Sequence, residues 1–391
     1  MPLVSVIIPT HNRAKYAVST IRAVLSLSEN IQVVVSDSSL VDEISPEFTD
    51  SPDHSRLKFV KSCGLVSVVD NFNNALKAAD GEYLIFIGDD DFISAEVVPL
   101  AKWAKENAVD SLKLNFPALY YWPDFKHATR GNSYAATLHL SVFSGKVKSH
   151  DAKKALAYAL DNFGGGVFEM PRAYAGMLSA SLTKRIMAKY GALFGGVSPD
   201  IYSCALICVE AEKCMLVDYP IVIPGASGQS TTGQSAAGGH RGELRDNPHI
   251  SAFVNLVWDD RIPEFYSVPT VWSFSLLAAW DKISETNLPV DIRPNFGRLI
   301  VKCFAYYPSK FKKNISCLNA LVRQYGLARI GGTFIRGVFN ELFWGLGRIK
   351  NRVLARNIKK NVYVVGGLNQ TTHASAALTS YISLHKLKLI L

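Results

Sequence analysis

Unbroken apolar runs alternate with stretches of helical spacing through the first hundred residues, and that alternation predicts a parallel α/β sheet of nucleotide-binding type. Residues 4–9, Val-Ser-Val-Ile-Ile-Pro, read as a buried strand stopped by proline. Residues 10–13, Thr-His-Asn-Arg, form the loop after it, and 14–27 carry helical apolar spacing. A second buried strand covers 31–36 and runs into Asp37-Ser38-Ser39; a short third strand follows at 57–60. The spacing over 66–79 predicts a helix with Val69, Phe72, Leu76 and Ala79 on one face. Residues 83–87 are apolar without a break, as in a strand covered on both faces, and Gly88 ends the run.

Beyond this the pattern loosens. Residues 111–117 read as a further strand, and 118–139 as an aromatic-rich irregular stretch. Within it Tyr120, Tyr121, Trp122 and Phe125 have two readings, stacking on an acceptor sugar or packing the underside of the domain. A helix over 149–163 leads to Gly164-Gly165-Gly166, a turn without the Gly-Lys-Ser pattern of a phosphate cradle. Pro199 beside Asp200 marks another helix start, continued over 201–209. A strand-like run at 217–223 precedes Pro224-Gly225 and a small-residue loop, 226–239, whose composition predicts flexibility, ending at His240-Arg241. From 253 onward helical segments with Trp258, Trp272, Phe274 and Trp280 dominate.

Composition changes this picture in one respect. The 391 residues, 48% hydrophobic and 19% charged, exclude a disordered chain, but the net charge of +9 is uneven. After Asp291 there are 17 Lys and Arg against the single acidic Glu341, a net +16; the remainder, with 25 basic and 32 acidic residues, carries −7. Over 296–360 basic residues alternate with apolar and aromatic ones, and Phe334, Phe339, Leu342, Phe343 and Trp344 recur at near-helical spacing. Helices of that kind lie on anionic membrane surfaces. Nucleic acid is the rival explanation for the charge, but no recognition motif accompanies it, so a nucleic-acid partner is not expected. A solvated helical face would mix both signs. No apolar run reaches bilayer-spanning length, and the N-terminus lacks a basic-then-apolar leader. The expected location is therefore cytoplasmic, peripheral on the inner face of the cell membrane. Six scattered cysteines match no zinc spacing and read as reduced, mostly buried thiols. The expected division is an α/β domain over 1–245 and a basic, mostly α-helical C-terminal region over 246–391.

The candidate chemistry sits at strand ends. Asp89, Asp90 and Asp91 follow the apolar run at its C-terminal edge, where open α/β sheets bind ligands. Three adjacent carboxylates repel one another, and a hard divalent cation bridging them to substrate phosphates relieves that repulsion. Asp37, at another strand end, is placed to accept hydrogen bonds from a ribose or base. Asp200 has two readings, a helix-dipole partner or a base that takes a proton from a hydroxyl.

Taken together, residues 4–13, then Val33-Val34-Val35-Ser36-Asp37-Ser38, then Gly81-Glu82-Tyr83 leading to Gly88-Asp89-Asp90-Asp91 resemble the family 2 inverting glycosyltransferases. Those enzymes have the GT-A fold, a Rossmann-like nucleotide-sugar-binding domain, and use sugar nucleotides with Mn²⁺ or Mg²⁺. The resemblance covers roughly the first 100 residues well, and runs more loosely to about Asp218. It implies that Pro9, Thr10 and Asn12 line the base pocket, that Asp37 binds the base of a donor such as a UDP-sugar, and that Asp89 and Asp90 hold the ribose and diphosphate. It also implies a metal site at Asp90 and Asp91. Apart from the resemblance, the small-residue loop before His240 reads either as a disordered surface loop or as a lid that orders over the diphosphate, with His240 a third metal ligand or Arg241 a neutraliser of leaving-group charge. Family 2 enzymes carry a catalytic Asp about 100 residues after the metal motif, which here is Asp200, with Glu210, Glu212 and Asp218 behind it. Departures are His11 where Tyr is common, Gly88 where Asp is common, and the absence of an Arg before Gly81. The implied reaction is inverting transfer to a hydroxyl acceptor, expected to be a lipid-linked saccharide, in cell-surface polysaccharide assembly. The alternatives are a nucleotidyltransferase that makes sugar nucleotides, or an inactive nucleotide-sugar- or membrane-binding scaffold.

Overall fold

The computed structural model describes residues 1–62, 66–230, 242–286, 293–355 and 362–391. The chain opens with strand β1 (Val4–Thr10), helix α1 (Ala14–Leu25), β2 (Ile31–Asp37), β3 (Leu57–Lys61), α2 (Val68–Lys77) and β4 (Tyr83–Phe86). β1 lies between β2 and β4, both parallel to it, and β3 extends the sheet beyond β2. Thr10 is paired with Asp37 at the top of this ladder, so the two strand ends open at one level. Helix α2 begins two residues later than its apolar spacing suggests because Ser67 caps it, accepting from Asp70 N at 3.1 Å.

Next come β5 (Phe92–Ile93), α3 (Val97–Glu106), β6 (Ser111–Leu114), β7 (Ala118–Tyr121), β8 (Thr137–Leu140), β9 (Val147–Ser149), α4 (Ala152–Asp161), β10 (Met177–Ser179), α5 (Ala180–Tyr190), α6 (Pro199–Glu210), β11 (Cys214–Val217), β12 (Val222–Ile223) and β13 (Gly225–Ala226). The main sheet runs β3-β2-β1-β4-β10-β6-β11-β9. It is not wholly parallel, because β10 is antiparallel to both β4 and β6, and β9 is antiparallel to β11. The stretch expected to be irregular, 118–139, instead contains β7 and β8, an antiparallel pair that joins a second sheet, β13-β7-β8-β14, whose last strand β14 is Tyr363–Val365. The run at 217–223 breaks in two. Asp218 is drawn aside, accepting from Ser144 N at 2.8 Å and from Asn115 Nδ2 at 3.0 Å.

The helical region comprises α7 (Pro248–Ser251), α8 (Val268–Ser284), α9 (Phe296–Tyr306), α10 (Phe311–Tyr325) and the long α11 (Leu327–Ala355). It shares one core with the sheet: Leu84, Phe86, Leu178, Ile207, Leu276, Leu299 and Leu321 belong to a single cluster of buried apolar side chains. Each such side chain contributes roughly 1.5–3 kcal/mol on burial. The chain then returns to its beginning. β14 (Tyr363–Val365) pairs antiparallel with β8, and the last helix, α12 (Thr371–Leu384), is tied to α1 through Ser19 Oγ and Thr371 Oγ1 at 2.7 Å. Among the described residues Cys204, Cys208, Cys214, Cys303 and Cys317 are buried free thiols.

Candidate active site

The loop after β1 sets the site. Asn12 takes the left-handed conformation, φ 55°, which asparagine tolerates, and its N–H donates to Ser39 Oγ at 2.6 Å. That turn sends Thr10 and Arg13 toward the end of β4. Thr10 Oγ1 donates to Asp89 Oδ2 at 2.6 Å. Arg13 Nη2 lies 3.0 Å from Asp89 Oδ1 and 2.8 Å from Asp90 Oδ2, so one guanidinium bridges two of the three carboxylates.

All three aspartates are buried, and they are held differently. Asp90 Oδ2 accepts from Ser227 Oγ at 2.6 Å and from Ser227 N at 3.2 Å, in addition to Arg13. Asp91 ties backbone together: its Oδ2 accepts from Gly88 N at 2.7 Å and Tyr174 Oη at 3.1 Å, its Oδ1 from Gly225 N at 2.7 Å. Burial pushes the Asp89 and Asp91 carboxyls well above the usual range; Arg13 opposes this at Asp89, while Asp90 adds to it at both. Burial and the three carboxylates push the Tyr174 phenol up, which keeps it a donor.

Two glycines are fixed by close approach. A Cβ at Gly225 would lie 1.8 Å from the carbonyl oxygen of Asp90. One at Gly88 would lie 2.7 Å from Tyr174 Oη. At Gly88 the second contact leaves little room for a side chain, because Tyr174 fills the space.

Asp37, at the end of β2, is buried and anchored, with Oδ1 accepting from Ser39 N at 2.9 Å and Oδ2 paired with Lys61 Nζ at 2.9 Å. Thr10, paired with Asp37 in the ladder and bonded to Asp89, joins the two acidic strand ends. Pro9 is half-buried beside Ser36 in the same ladder. The structure therefore gathers Pro9, Thr10, Asn12, Asp37, Asp89, Asp90 and Asp91 at one sheet edge.

Asp200 stands on a different element, in the first turn of α6, where its carboxyl meets the N–H groups of Asp200 and Ile201. Burial raises it above the ordinary carboxylate range, against the pull of Arg172 and His249. The 172–174 segment links the two acidic groups, since Arg172 acts on Asp200 and Tyr174 bonds to Asp91. Two of the other acidic carboxylates of that stretch, Glu210 and Asp218, are occupied. Glu210 Oε1 accepts from Lys189 Nζ at 2.8 Å and Tyr190 Oη at 2.7 Å, and Asp218 is held as described. Glu212 follows α6, and its N–H donates to Asp110 Oδ2 at 2.9 Å. His240 and Arg241 lie outside the described residues.

Of the four aromatics, Tyr120, Trp122 and Phe125 are buried in packing; Trp122 Nε1 donates to the Asp90 carbonyl at 2.9 Å. Only Tyr121 stays half-buried, stacked on Tyr134 at 5.1 Å between ring centres. Sequence reasoning missed Arg13, Tyr174 and Ser227. Arg13 had a signal, an arginine three residues after Thr10 in a strand-end loop; the other two contribute through contacts more than 80 residues away.

The donor set suits a hard cation. Magnesium-type sites are completed by one or two carboxylates plus substrate phosphates. The bonds to the Asp90 carboxylate described above fall on Oδ2, leaving Oδ1, whereas both oxygens of Asp91 are already engaged. Among the described residues no group of three or more His, Cys, Asp or Glu side chains is placed to hold a metal without such phosphates. Arg13 supplies the positive charge here, and its buried Nε has no hydrogen-bond partner among the described residues.

Residues 5–140 match the model of glycosyl transferase family 2. An uncharacterized glycosyltransferase of Rickettsia conorii is 26% identical over 148 residues, 37% of this chain and 22% of the relative. One from Rickettsia felis is 26% identical over 148 residues, 23% of its length. The chain thus spans less than a quarter of the curated relatives it matches. Among solved structures, residues 1–349 of S. aureus TarS in complex with UDP-GlcNAc align at 16% identity, covering 85% of this chain and 84% of that one, with a TM-score of 0.49. The mannosyltransferase PcManGT from Pyrobaculum calidifontis, in complex with GDP-Man and Mn²⁺, aligns at 12% identity over 87% of this chain and 88% of that one, TM-score 0.38.

Proposed function

We propose that this protein transfers a sugar, with inversion, from a nucleotide-sugar donor to a hydroxyl acceptor. The observation that supports it best is the junction at Thr10, which couples Asp37 to Asp89 and brings a base-binding and a diphosphate-binding carboxylate to one sheet edge. Asp37 receives the base, and the end of β1, Pro9 to Asn12, lines its pocket. Asp89 and Asp90 hold the ribose and diphosphate. A divalent cation, Mn²⁺ or Mg²⁺, held by Asp90 with Asp91 behind it and His240 as a further ligand, supplies charge neutralisation on the departing diphosphate. Arg13 offers a second source of positive charge, through Nε and the Nη group now spent on the two aspartates. Asp200 takes the acceptor's proton on the face opposite the leaving group, and its raised pKa makes it a stronger base than an exposed aspartate.

The acceptor is a lipid-linked saccharide of surface-polysaccharide assembly, reached from an anionic membrane surface on which the basic region, 246–391, docks. No helix among the described residues is long and apolar enough to cross a membrane, so contact would be peripheral. Incubation with a panel of sugar nucleotides and Mn²⁺, followed by measurement of nucleoside diphosphate release, tests the reading. Release from one donor that is accelerated by a lipid-linked saccharide supports it. No release from any donor would leave a binding scaffold.

A further inference from the structure

A second site stands apart from the aspartates. A cavity of about 710 Å³ lies among α8, α9, α10 and α11, within the size range of small-molecule sites. Four arginines line it, Arg261, Arg293, Arg329 and Arg336, against two aspartates, Asp161 and Asp281. Arg261 is committed, with Nη2 2.6 Å from Asp259 and 2.5 Å from Asp281. Arg336 pairs with Asp161 at 3.3 Å. Arg293 and Arg329 have no carboxylate partner among the described residues; Arg329 lies over the ring of Tyr325, 5.6 Å from its centre. Two planar, fork-shaped donors at the mouth of an aromatic-walled cavity suit a phosphate group.

What lies beside the cavity identifies the source of that phosphate. On α11, Ile335, Phe339, Leu342, Phe343, Leu346 and Ile349 are each more than half exposed. At about 100° per residue they fall within a sector of roughly 120° on one side of the helix. Arg336 and Arg329 project along the flank of that stripe, some 20–40° beyond Phe343 in the same projection. An apolar stripe edged by arginines is the arrangement of a helix lying in a membrane interface, its apolar side among acyl chains and its cations at headgroup level. Glu341, the acidic residue of α11, is turned away from lipid, bonded to Arg298 Nε at 3.2 Å.

We infer that the cavity receives the phosphate headgroup of an anionic membrane lipid, gripped by Arg293 and Arg329, while the α11 stripe lies in the interface beside it. The inference rests on the membrane-docking part of the proposed function and gives that docking a specific seat.

The test is co-sedimentation of the full chain with phosphatidylcholine vesicles carrying either phosphatidate or oleate at equal surface charge. Two double variants of equal charge change are compared: Arg293→Ala with Arg329→Ala, and Lys312→Ala with Arg323→Ala on α10, circular dichroism verifying that both fold. Wild type should prefer phosphatidate, and the cavity pair should lose about 10-fold or more of that binding while the control pair loses much less. Equal losses in the two variants, or equal binding to oleate vesicles, would overturn the phosphate seat and leave only general charge attraction. A cavity variant that binds phosphatidate vesicles as wild type does would overturn the seat while leaving membrane docking intact. Release by millimolar inorganic phosphate at constant ionic strength would reassign the cavity to a soluble anion. Stronger binding to duplex DNA than to vesicles, or no vesicle binding at low salt, would overturn both seat and docking and leave sugar transfer untouched.

Discussion

Two buried charge clusters of opposite sign organise this molecule. At the edge of β4 three carboxylates lie together, and one guanidinium, Arg13, bridges two of them. Around α9 and α11 three cations share two carboxylates: Glu341 Oε1 lies 3.2 Å from Arg298 Nε and 3.5 Å from Lys302 Nζ, and Asp161 lies 3.8 Å from Arg298 and 3.3 Å from Arg336. Each cluster is left with a surplus, negative in the first and positive in the second. Burial makes the surplus costly in both, pushing the Asp89 and Asp91 carboxyls up and the Lys302 ammonium down to about 8. The clusters differ in what holds them. The acidic one is assembled from strand-end loops, with Arg13 as a mostly buried partner. The basic one is locked between packed helices, with Lys302 also donating to the Phe163 carbonyl at 3.1 Å.

If the acidic surplus exists to bind a donor, removing one charge should have the largest effect. Asp90→Asn should lower sugar transfer by about 10²–10³-fold while melting near the wild-type temperature, since the lost carboxylate also relieves repulsion. Initial rates and a thermal melt check both parts. Asp200→Asn should lower turnover by roughly 10²-fold or more with little change in donor affinity, because it removes basicity and keeps shape. Steady-state kinetics separate the two quantities. The same group carries a pH signature. Its folded pKa is raised, so its contribution favours the fold at acid pH and is lost as pH rises above the ordinary aspartate value of about 4. Asp200→Asn should therefore stabilise the protein more at pH 8 than at pH 4.

Gly225→Ala probes the joint between the site and β13. Its methyl would meet the Asp90 carbonyl, and we expect a loss of about 1–3 kcal/mol in denaturant unfolding together with weakened donor binding. The smallest effect belongs to the basic cluster. With Lys302 at about 8 in the fold against about 10.4 unfolded, the folded state holds fewer protons between those values. This group's contribution then becomes more favourable as pH rises through that window, by roughly 1–3 kcal/mol. Lys302→Met should flatten the stability profile between pH 8 and 10; an unchanged slope would show that Lys302 is not penalised by burial.

The sequence made one half of this comparison far easier to read than the other. Strands β1, β2 and β4 are legible because each is a continuous apolar run, and a strand buried on both faces requires that. Asp37 and the aspartate triplet followed from their position at the ends of those runs. Strands β7 and β8 were hidden because the turn-rich segment between them interrupts any period. β10 has only three residues, and β14 finds its partner more than 200 residues upstream. The partners of the triplet were hidden for the same reason. Ser227 and Tyr174 reach Asp90 and Asp91 across 137 and 83 residues, and nothing local marks them. The excess of basic residues after Asp291 was visible, but not their sorting into a locked cluster, an arginine cavity and the flank of an exposed apolar stripe. That sorting depends on how α9 and α11 cross.

The most direct test of the central claim, that the β4 edge is a nucleotide-sugar site, is calorimetric titration with nucleoside diphosphates and Mn²⁺ in wild type and Asp90→Asn. The account predicts saturable, one-to-one binding of one nucleoside diphosphate to the wild type, weakened at least 10-fold when Mn²⁺ is omitted and lost in the variant. Equal binding by the two proteins, or none by the wild type with any nucleotide, would contradict it.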